Sequence, residues 1–378
     1  MIASSLFWST VAFVLYAYGG YPLILKIITY FSNAPINKKP FTPFVTLIIS
    51  VFNEDKVIAE KIENSLALDY PKERLEIMVV SDASSDRTDE IANRYAHDRV
   101  KILRIEGRVG KTACLNKAIP VANGDIILFS DANSLYNERS IREIASNFSD
   151  SRVGCVTGYT KYLSRESNTV VESVGVYAQL EMITKELESR VGSCVGADGA
   201  IFAMRKELYR PLKVTDINDF VIPLQIVAQG YRTVLERDAY CYEETAKDSK
   251  GEFIRQVRIT NRTLRAIFNN KELLNVFHYK LFSFELFSHK LVKLLVPLFL
   301  AVMLLSNLVL AGRIFFKGVL ALQVIFYSLA IHKVERDHGL LANMISTCQT
   351  FVIVNAAILK GWITYFKGDD FTTWKSSR

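Results

Sequence analysis

Cysteine is scarce in this chain, with only five among 378 residues. The five are odd in number and lack the spacing of metal ligands: Cys114, Cys155, Cys194, Cys241 and Cys348. This pattern argues against a cysteine-based metal site. It fits a protein of the reducing cytosol whose cysteines fill small spaces in the core.

Two common nucleotide-binding motifs are also missing. Gly110-Lys111-Thr112 ends like a P-loop, but that motif needs a glycine five positions earlier, where the chain has Ile105. No Gly-x-Gly-x-x-Gly follows the first predicted strand, which argues against a dinucleotide oxidoreductase. The chain has no long basic tail and no groove-reading module, so we expect no nucleic-acid partner. Its formal charge of +7 suits anionic lipids and anionic substrates instead.

Long apolar runs are abundant, and half of all residues are hydrophobic. Leu6 to Leu25 holds twenty uncharged residues, and two later runs hold 19 (Leu294 to Gly312) and 21 (Gly339 to Leu359). Each is long enough to cross a bilayer as a helix. Ile314 to Ile331 carries Lys317, so a span and an interfacial helix both stay open there.

The charges around the first run predict its orientation. No Lys or Arg precedes it, no small-residue cleavage site follows it, and Lys26, Lys38 and Lys39 come soon after. We therefore expect a retained anchor with the amino terminus outside, in a multi-pass protein of the plasma or inner membrane with a cytosolic catalytic domain. The carboxyl terminus lies outside if Ile314 to Ile331 crosses, and in the cytosol if it does not.

Between the membrane segments, apolar strand-like runs alternate with helical patterns. Strands are predicted at Val45–Val51, Ile77–Val80, Lys101–Ile105, Ile126–Phe129 and Val153–Thr157, and helices near Lys56–Leu68, Asp89–Ala96, Thr112–Ala122 and Arg139–Phe148. Continuous apolar strands between helices predict an α/β fold with a mainly parallel sheet. Ligands of such sheets bind at the carboxyl ends of the strands, so the polar residues there are the site candidates.

The first candidates follow the first three strands. Asn53 and Glu54 come after the first, and Asp82, placed to accept hydrogen bonds from a base or ribose, comes after the second. Asp86 is better explained as a helix N-cap, and Asn53 and Glu54 share that ambiguity. After the third strand, Lys111 at the start of a helix suits a phosphate group.

A carboxylate and an amide follow the fourth strand, at Asp131 and Asn133. Their oxygens are hard ligands of the kind that Mg²⁺ or Mn²⁺ carrying a diphosphate needs. Taken alone, the two residues are better explained as turn formers, and the motifs around them reverse this preference.

A basic stripe is predicted on a helix from Glu252 to Phe268. Its arginines recur at positions i, i+3, i+7 and i+10: Arg255, Arg258, Arg262 and Arg265. A basic amphipathic helix lying on anionic lipid explains this pattern, and so does an arginine turned toward a diphosphate.

The ordered motifs together resemble a known family. Phe-Asn-Glu after a strand, Val-Val-Ser-Asp-Ala-Ser-Ser-Asp, Gly-Lys-x-x-x-Leu-Asn and Ser-Asp-Ala-Asn resemble a family 2 glycosyltransferase of the GT-A fold over residues 45–265. The flanking apolar runs resemble those of the cellulose, chitin and hyaluronan synthase branch. The resemblance implies transfer of a sugar from a nucleotide diphosphate, usually a UDP-sugar, with inversion at the anomeric carbon.

The resemblance also assigns residues to the donor side. Glu54 and Asp82 resemble uridine contacts, and Lys111 resembles a residue near the uracil or diphosphate. Asp131 and Asn133 occupy the Asp-x-Asp metal motif. Asn133 is neutral where a carboxylate is usual, which predicts weaker binding of Mg²⁺ or Mn²⁺.

On the acceptor side, the turn Gly196–Ala200 with Asp198 resembles a small-residue turn beneath the acceptor, although a simple tight turn explains it equally. Asp219 resembles the catalytic base, with Asp216 as its competitor. Arg255 and Arg258 lie in an altered Gln-x-x-Arg-Trp motif, which implies substrate binding. The tryptophan is replaced by Ile259, which casts doubt on polymer elongation.

Three functions follow from these residues. The first is a membrane glycosyltransferase making a cell-surface or extracellular polysaccharide, the second is single-sugar transfer to a polyprenyl-phosphate or lipid-linked acceptor, and the third is a non-catalytic glycan-binding subunit. The predicted organisation is an anchor (1–32), a linker (33–44), a GT-A domain (45–250), amphipathic interfacial helices (251–289), a transmembrane region of two or three spans (290–366) and a tail (367–378).

Overall fold

The computed structural model describes residues 1–97, 99–166, 169–173, 176–244, 249–331 and 340–371. The predicted start of the last apolar run at Gly339 lies outside these ranges. So do residues 245–248 of the predicted GT-A domain and 372–378 of the predicted tail.

The described residues form one sheet and a set of helices. The strands are β1 (Val45–Val51), β2 (Leu75–Ser81), β3 (Val100–Arg104), β4 (Ile126–Asp131), β5 (Leu135–Tyr136), β6 (Val153–Glu166), β7 (Thr169–Ser173), β8 (Ile201–Arg205) and β9 (Arg232–Glu244). The helices are α1 (Ile2–Leu15), α2 (Tyr21–Phe31), α3 (Ile58–Leu66), α4 (Thr88–Asn93), α5 (Lys111–Val121), α6 (Ser140–Asn147), α7 (Val176–Val191), α8 (Asn218–Ala228), α9 (Ser249–Asn269), α10 (Val276–Tyr279), α11 (Leu281–Leu286), α12 (Val292–Leu310), α13 (Ile314–Ile331) and α14 (Leu340–Phe366).

The chain divides into two compact units. The sheet unit comprises Leu25–Lys247, Arg265–Ser283 and Asp370–Arg378, and the helical unit comprises Met1–Ile24, Asp248–Leu264 and Phe284–Asp369. Helix α9 contributes residues to both.

The first half of the sheet, in the order β3-β2-β1-β4, is entirely parallel. Every residue of β1 and β2 is buried, as expected for strands covered on both faces. The registers that pair Val51 with Ser81 and Ser50 with Asp131 bring the ends of β1, β2 and β4 to one edge. The strand predicted at Val45–Val51 is confirmed, and the polar residues after these strands share that edge.

The second half of the sheet is mixed. β8 pairs antiparallel with both β4 and β6, β6 pairs parallel with β9, and β5 and β7 add antiparallel pairs. The predicted α/β fold is confirmed, but the sheet is mixed: the pairs among β1–β4 are all parallel, whereas the second half combines the parallel pair of β6 with β9 and antiparallel pairs. The sequence patterns of β6, β8 and β9 do not indicate which strands they pair with, because strand pairing depends on tertiary context.

The core of the sheet unit lies where these strands meet the helices. The rings of Phe129 on β4 and Phe202 on β8 stack with their centroids 4.5 Å apart. On the helix side, Ile58 and Ile62 of α3 are fully buried. Burying each of these side chains contributes about 1.5–3 kcal/mol to folding, so the site rests on a firmly packed base.

The structure has four helical stretches that are long and apolar enough to cross a membrane: Ile2–Phe31, Leu281–Leu310, Ile314–Ile331 and Met344–Phe366. The first contains a π-helical turn at Tyr16–Gly20. The second begins at Leu281, so the predicted boundary at residue 290 falls inside it. Lys290 and Lys293 interrupt the apolar sequence, so a search for uncharged runs begins only after them, at Leu294.

Polar contacts join the helices within the helical unit. The hydroxyls of Tyr16 and Ser288 lie 2.6 Å apart, and the indole of Trp362 donates to the carbonyl oxygen of Leu294 at 2.8 Å. Asn261 of α9 donates to Thr364 Oγ1 of α14 at 3.1 Å. One face of α9 is therefore packed against protein within this unit.

Candidate active site

Asn53 and Glu54 link the loops that follow β1 and β2. Asn53 has a left-handed backbone, with φ of 54°, and its Oδ1 accepts a hydrogen bond from the amide of Ser85 at 2.8 Å. The amide of Glu54 donates to Thr88 Oγ1 at 2.8 Å. Because the Asn53 side chain is engaged in this loop contact, its predicted substrate role remains a prediction.

Asp82 holds the loop from Gly107 to Gly110. Its carboxylate, only 1% exposed, accepts hydrogen bonds from the amides of Val109 at 2.7 Å and Gly110 at 3.0 Å. The guanidinium of Arg108 lies over the ring of Phe52. Gly107 and Gly110 both have positive φ, which glycine adopts without strain. Asp82 thus fixes the loop that leads directly into Lys111.

Lys111 and Asp131 form an ion pair at the edge of the sheet. The Lys111 ammonium lies 2.5 Å from Asp131 Oδ1, and the Asp131 side chain keeps 42% of its surface exposed. Asn133 is half-buried, and its side chain makes no hydrogen bond to the described residues. An accessible carboxylate beside an unengaged amide oxygen fits a hard divalent cation. Asp131 and Asn133 are therefore the residues that would hold such an ion.

Asp198 braces the small-residue turn Gly196–Ala200. Its carboxylate accepts hydrogen bonds from the amide of Thr160 at 2.9 Å and the amide of Ala200 at 3.1 Å, and its own amide donates to Thr157 Oγ1 at 2.8 Å. These bonds tie the turn to β6. They account for Asp198 structurally, and its predicted contact with substrate stays a prediction.

Asp219 lies in the first turn of α8, against the small-residue turn. A side chain at Gly199 would place its Cβ 2.9 Å from Asp219 Oδ2, so the carboxylate would have to shift to accommodate it. The amide of Ala197 donates to the backbone carbonyl of Asp219 at 2.8 Å. The residue at the N-cap position of α8 is Ile217, so the Asp219 side chain is not used to cap this helix.

The carboxylate of Asp219 is suited to accept a proton. Its Oδ1 is buried and has no hydrogen-bond partner among the described residues. Burial raises the pKa of Asp219, which Lys111 and Lys185 partly oppose and Asp131 and Asp198 reinforce. A carboxylate with a raised pKa is a better proton acceptor than an ordinary one.

Asp216, the competing carboxylate, is occupied in its own loop. Its Oδ2 accepts a hydrogen bond from the amide of Lys213 at 2.8 Å, and its backbone carbonyl accepts one from Thr112 Oγ1 at 2.8 Å. These local bonds favour Asp219 as the base.

Arg255 and Arg258 belong to the helical unit. Arg255 pairs with Glu252 one turn earlier, with Nε 2.8 Å from Oε2. Burial, with a smaller effect of Arg255, lowers the pKa of Arg258. Their roles in substrate binding remain predictions.

Sequence reasoning missed two buried polar residues beneath the site, Lys61 and Tyr136. Lys61 shares the buried face of α3 with Ile58, Ile62 and Ser65, and it is fully buried. A lysine within an otherwise apolar helical stripe was a readable signal, because lysine is almost never fully buried without a specific contact. Tyr136 sits on the short strand β5 and carried no motif.

The described fold is that of the GT-A glycosyltransferases. The mannosyltransferase PcManGT from Pyrobaculum calidifontis, solved in complex with GDP-Man and Mn²⁺, is similar with a TM-score of 0.73 and 21% identity, over 97% of this chain and 100% of that one. The model of the family described as "Glycosyl transferase family 2" matches residues 46–212. Residues 46–212 of this chain therefore match glycosyltransferase family 2.

Two characterised groups of relatives share parts of this sequence. The beta-monoglucosyldiacylglycerol synthase of Trichormus variabilis is 32% identical over 118 residues, which is 30% of this chain and 25% of the relative. The poly-beta-1,6-N-acetyl-D-glucosamine synthase of Staphylococcus aureus is 25% identical over 252 residues, which is 63% of this chain and 61% of the relative. In both cases the match covers less than two thirds of the relative's length.

Proposed function

We propose that the protein is an inverting glycosyltransferase that uses a nucleotide-diphosphate sugar, with Asp219 as its catalytic base. One observation carries the proposal. Asp219 has a raised pKa and a buried oxygen without a hydrogen-bond partner, in the sheet unit that also holds Asp82, Lys111 and Asp131. A non-catalytic glycan-binding subunit would have no need of such a carboxylate.

The chemistry is a single displacement. Asp219 takes the proton of the acceptor hydroxyl, and the acceptor oxygen forms a bond to the anomeric carbon as the bond to the diphosphate oxygen breaks. The nucleoside diphosphate leaves with the bonding electron pair. Attack from the face opposite the leaving group inverts the anomeric carbon.

The donor side supplies charge and position. We assign the nucleoside to Glu54 and Asp82, with Asp82 acting through the Gly107–Gly110 loop that its buried carboxylate holds. We assign the diphosphate to Lys111, with Arg258 as a further candidate. Asp131 and Asn133 would hold Mg²⁺ or Mn²⁺, which when bound neutralises negative charge on the diphosphate. Lys111, already 2.5 Å from Asp131 Oδ1, lies where it can also contact the phosphate oxygens.

We assign the donor to UDP-sugars and the product to a cell-surface or extracellular polysaccharide. The similarity to the poly-beta-1,6-N-acetyl-D-glucosamine synthase, which extends over 63% of this chain, supports this assignment. The four apolar helical stretches support a membrane location, and Lys26, Lys38 and Lys39 favour a cytosolic sheet unit.

A single transfer to a lipid-linked acceptor is the second candidate. It is favoured by Ile259, which replaces the aromatic platform on which the related synthases stack the acceptor sugar. The relative named beta-monoglucosyldiacylglycerol synthase supports the same alternative.

Purified protein in detergent, incubated with a panel of UDP- and GDP-sugars, tests the function. We expect nucleoside diphosphate release with one donor, and release that requires an acceptor. Products of many sugar units would favour the polysaccharide, whereas a glycolipid carrying one added sugar would favour the lipid acceptor. Asp219→Asn protein is the matched control, and release at the wild-type rate by this variant would contradict the proposal.

A further inference from the structure

The turn that carries Asp131 and the turn that contacts Asp219 diverge where the pairing of β4 with β8 ends. β4 and β8 run antiparallel, and their last pair is Ser130 with Ile201. Beyond that pair, β4 leads into the turn with Asp131 and Asn133, while Ala200, just before β8, ends the turn that contacts Asp219. Nothing in the ladder itself holds these two turns together past this pair.

The hydroxyl of Tyr136 lies at this point. Its oxygen is 2.8 Å from the carbonyl oxygen of Phe129 on β4 and 3.0 Å from that of Ala200. The side chain is buried, with 3% of its surface exposed, and burial raises the pKa of Tyr136 well above its usual value. The phenol therefore keeps its proton and shares it between the two carbonyl oxygens.

Helix α3 fixes the position of Tyr136. Asn64 bonds both backbone groups of Tyr136, accepting from its amide at 2.9 Å and donating to its carbonyl oxygen at 3.0 Å. The Lys61 ammonium lies 3.9 Å from the ring centroid and donates to the carbonyl oxygen of Ser134 at 2.5 Å. The tyrosine is thus held from the helix side, together with the end of the Asp131 turn.

We propose that Tyr136 is a positioning residue that sets the distance between the donor-binding turn and the catalytic base. Through Ala200 it holds the Gly196–Ala200 turn, in which the amide of Ala197 donates to the backbone carbonyl of Asp219, and through Phe129 it holds the strand that ends in Asp131. Its hydroxyl acts on the two turns through these two carbonyl groups. The inference rests on the proposed function, in which Asp219 must face a donor held at Asp131.

Tyr136→Phe removes only this hydroxyl, and Tyr70→Phe is the matched control. Tyr70 is also buried, with 5% exposed, and its hydroxyl donates to the carbonyl oxygen of Pro43 at 2.6 Å. Each variant removes one buried hydroxyl donor, so both should lower the melting temperature. A role limited to stability predicts that the two variants behave alike in every other measurement.

For Tyr136→Phe we expect kcat to fall roughly tenfold or more, because small misplacements of reacting groups have large effects on rate. The KM for the donor and the Kd for UDP should stay within about twofold of the wild-type values, since the hydroxyl does not touch the nucleotide. Tyr70→Phe should leave kcat unchanged below its melting temperature. Equal kcat values for the two variants would overturn the proposal.

Hydrogen exchange followed by mass spectrometry gives a second measurement that does not depend on turnover. Amides of the Gly196–Ala200 turn should exchange faster in Tyr136→Phe than in Tyr70→Phe. Exchange at the same rate in both would overturn the positioning role. Failure of the wild-type protein to release nucleotide from any sugar donor would instead contradict the proposed function, and the exchange comparison would still decide the role of Tyr136.

Discussion

The carboxylates of Asp82 and Asp131 in the parallel half and that of Asp219 beside the mixed half lie in opposite chemical conditions. In the parallel half, Asp82 is fully engaged by the amides of Val109 and Gly110, and Asp131 is paired with Lys111. In the mixed half, Asp219 keeps a buried oxygen without a hydrogen-bond partner among the described residues. The comparison supports the proposal that one half holds a nucleotide and its phosphates and that the other accepts a proton.

The largest expected effect on turnover comes from replacing Asp219, the proposed base. Asp219→Asn should lower turnover by on the order of 10²-fold or more, because the amide cannot accept the hydroxyl proton. Nucleoside diphosphate release, followed with saturating donor and acceptor, measures this. Asp216→Asn is the control and should retain most activity, since that carboxylate bonds to its own loop. An inactive Asp216→Asn beside an active Asp219→Asn would move the base.

Variants of Arg258, on α9, test whether a residue outside the sheet also binds the diphosphate. If its planar fork binds the diphosphate, Arg258→Lys should lower turnover about tenfold or more, because the point charge of lysine cannot make the bidentate contact. Arg262→Lys and Arg265→Lys are the controls and should change little. Equal, mild effects in all three variants would leave the stripe as a lipid-facing surface.

Gly199→Ala should disturb the base without changing any charge. The added methyl group would come within 2.9 Å of Asp219 Oδ2, so the carboxylate must move. We expect turnover to fall about tenfold, in line with the cost of misplacing a reacting group. Gly318→Ala, where a Cβ meets nothing within 4 Å, is the control. Unchanged kcat in Gly199→Ala would separate Asp219 from the reaction.

The parallel half could largely be predicted from the sequence. Its strands are short apolar runs, and each is followed directly by polar residues. The local sequence therefore predicts both the strands and the polar residues at their carboxyl ends. Asp131 and Asp82 were found in this way. The ion pair between Lys111 and Asp131 could not be, because strand order is set by packing and not by local pattern.

The mixed half was less accessible to sequence reasoning. The insertion of β8 between β4 and β6 is a long-range pairing, and it alone brings Gly199 to the base and Ala200 to Tyr136. The resemblance assigned Asp219, but no motif pointed to Tyr136. Lys61 was visible only as an exception to the apolar face of α3.

A smaller effect is expected in the parallel half from Asn133→Asp. A second carboxylate strengthens a hard-cation site, so activity should persist while the Mn²⁺ or Mg²⁺ concentration for half-maximal activity falls a few-fold. A metal titration after treatment with chelator measures this. Full activity of the wild-type protein in excess chelator would remove the metal from the account.

The division of labour between the two halves is tested most directly by UDP binding to Asp82→Asn and Asp219→Asn, measured side by side by calorimetry. Replacing one carboxylate oxygen of Asp82 by an amide group should loosen the Gly107–Gly110 loop and weaken UDP binding about tenfold. Asp219→Asn should bind UDP as the wild-type protein does while failing to transfer sugar. Loss of UDP binding in Asp219→Asn, or wild-type binding in Asp82→Asn, would contradict the account.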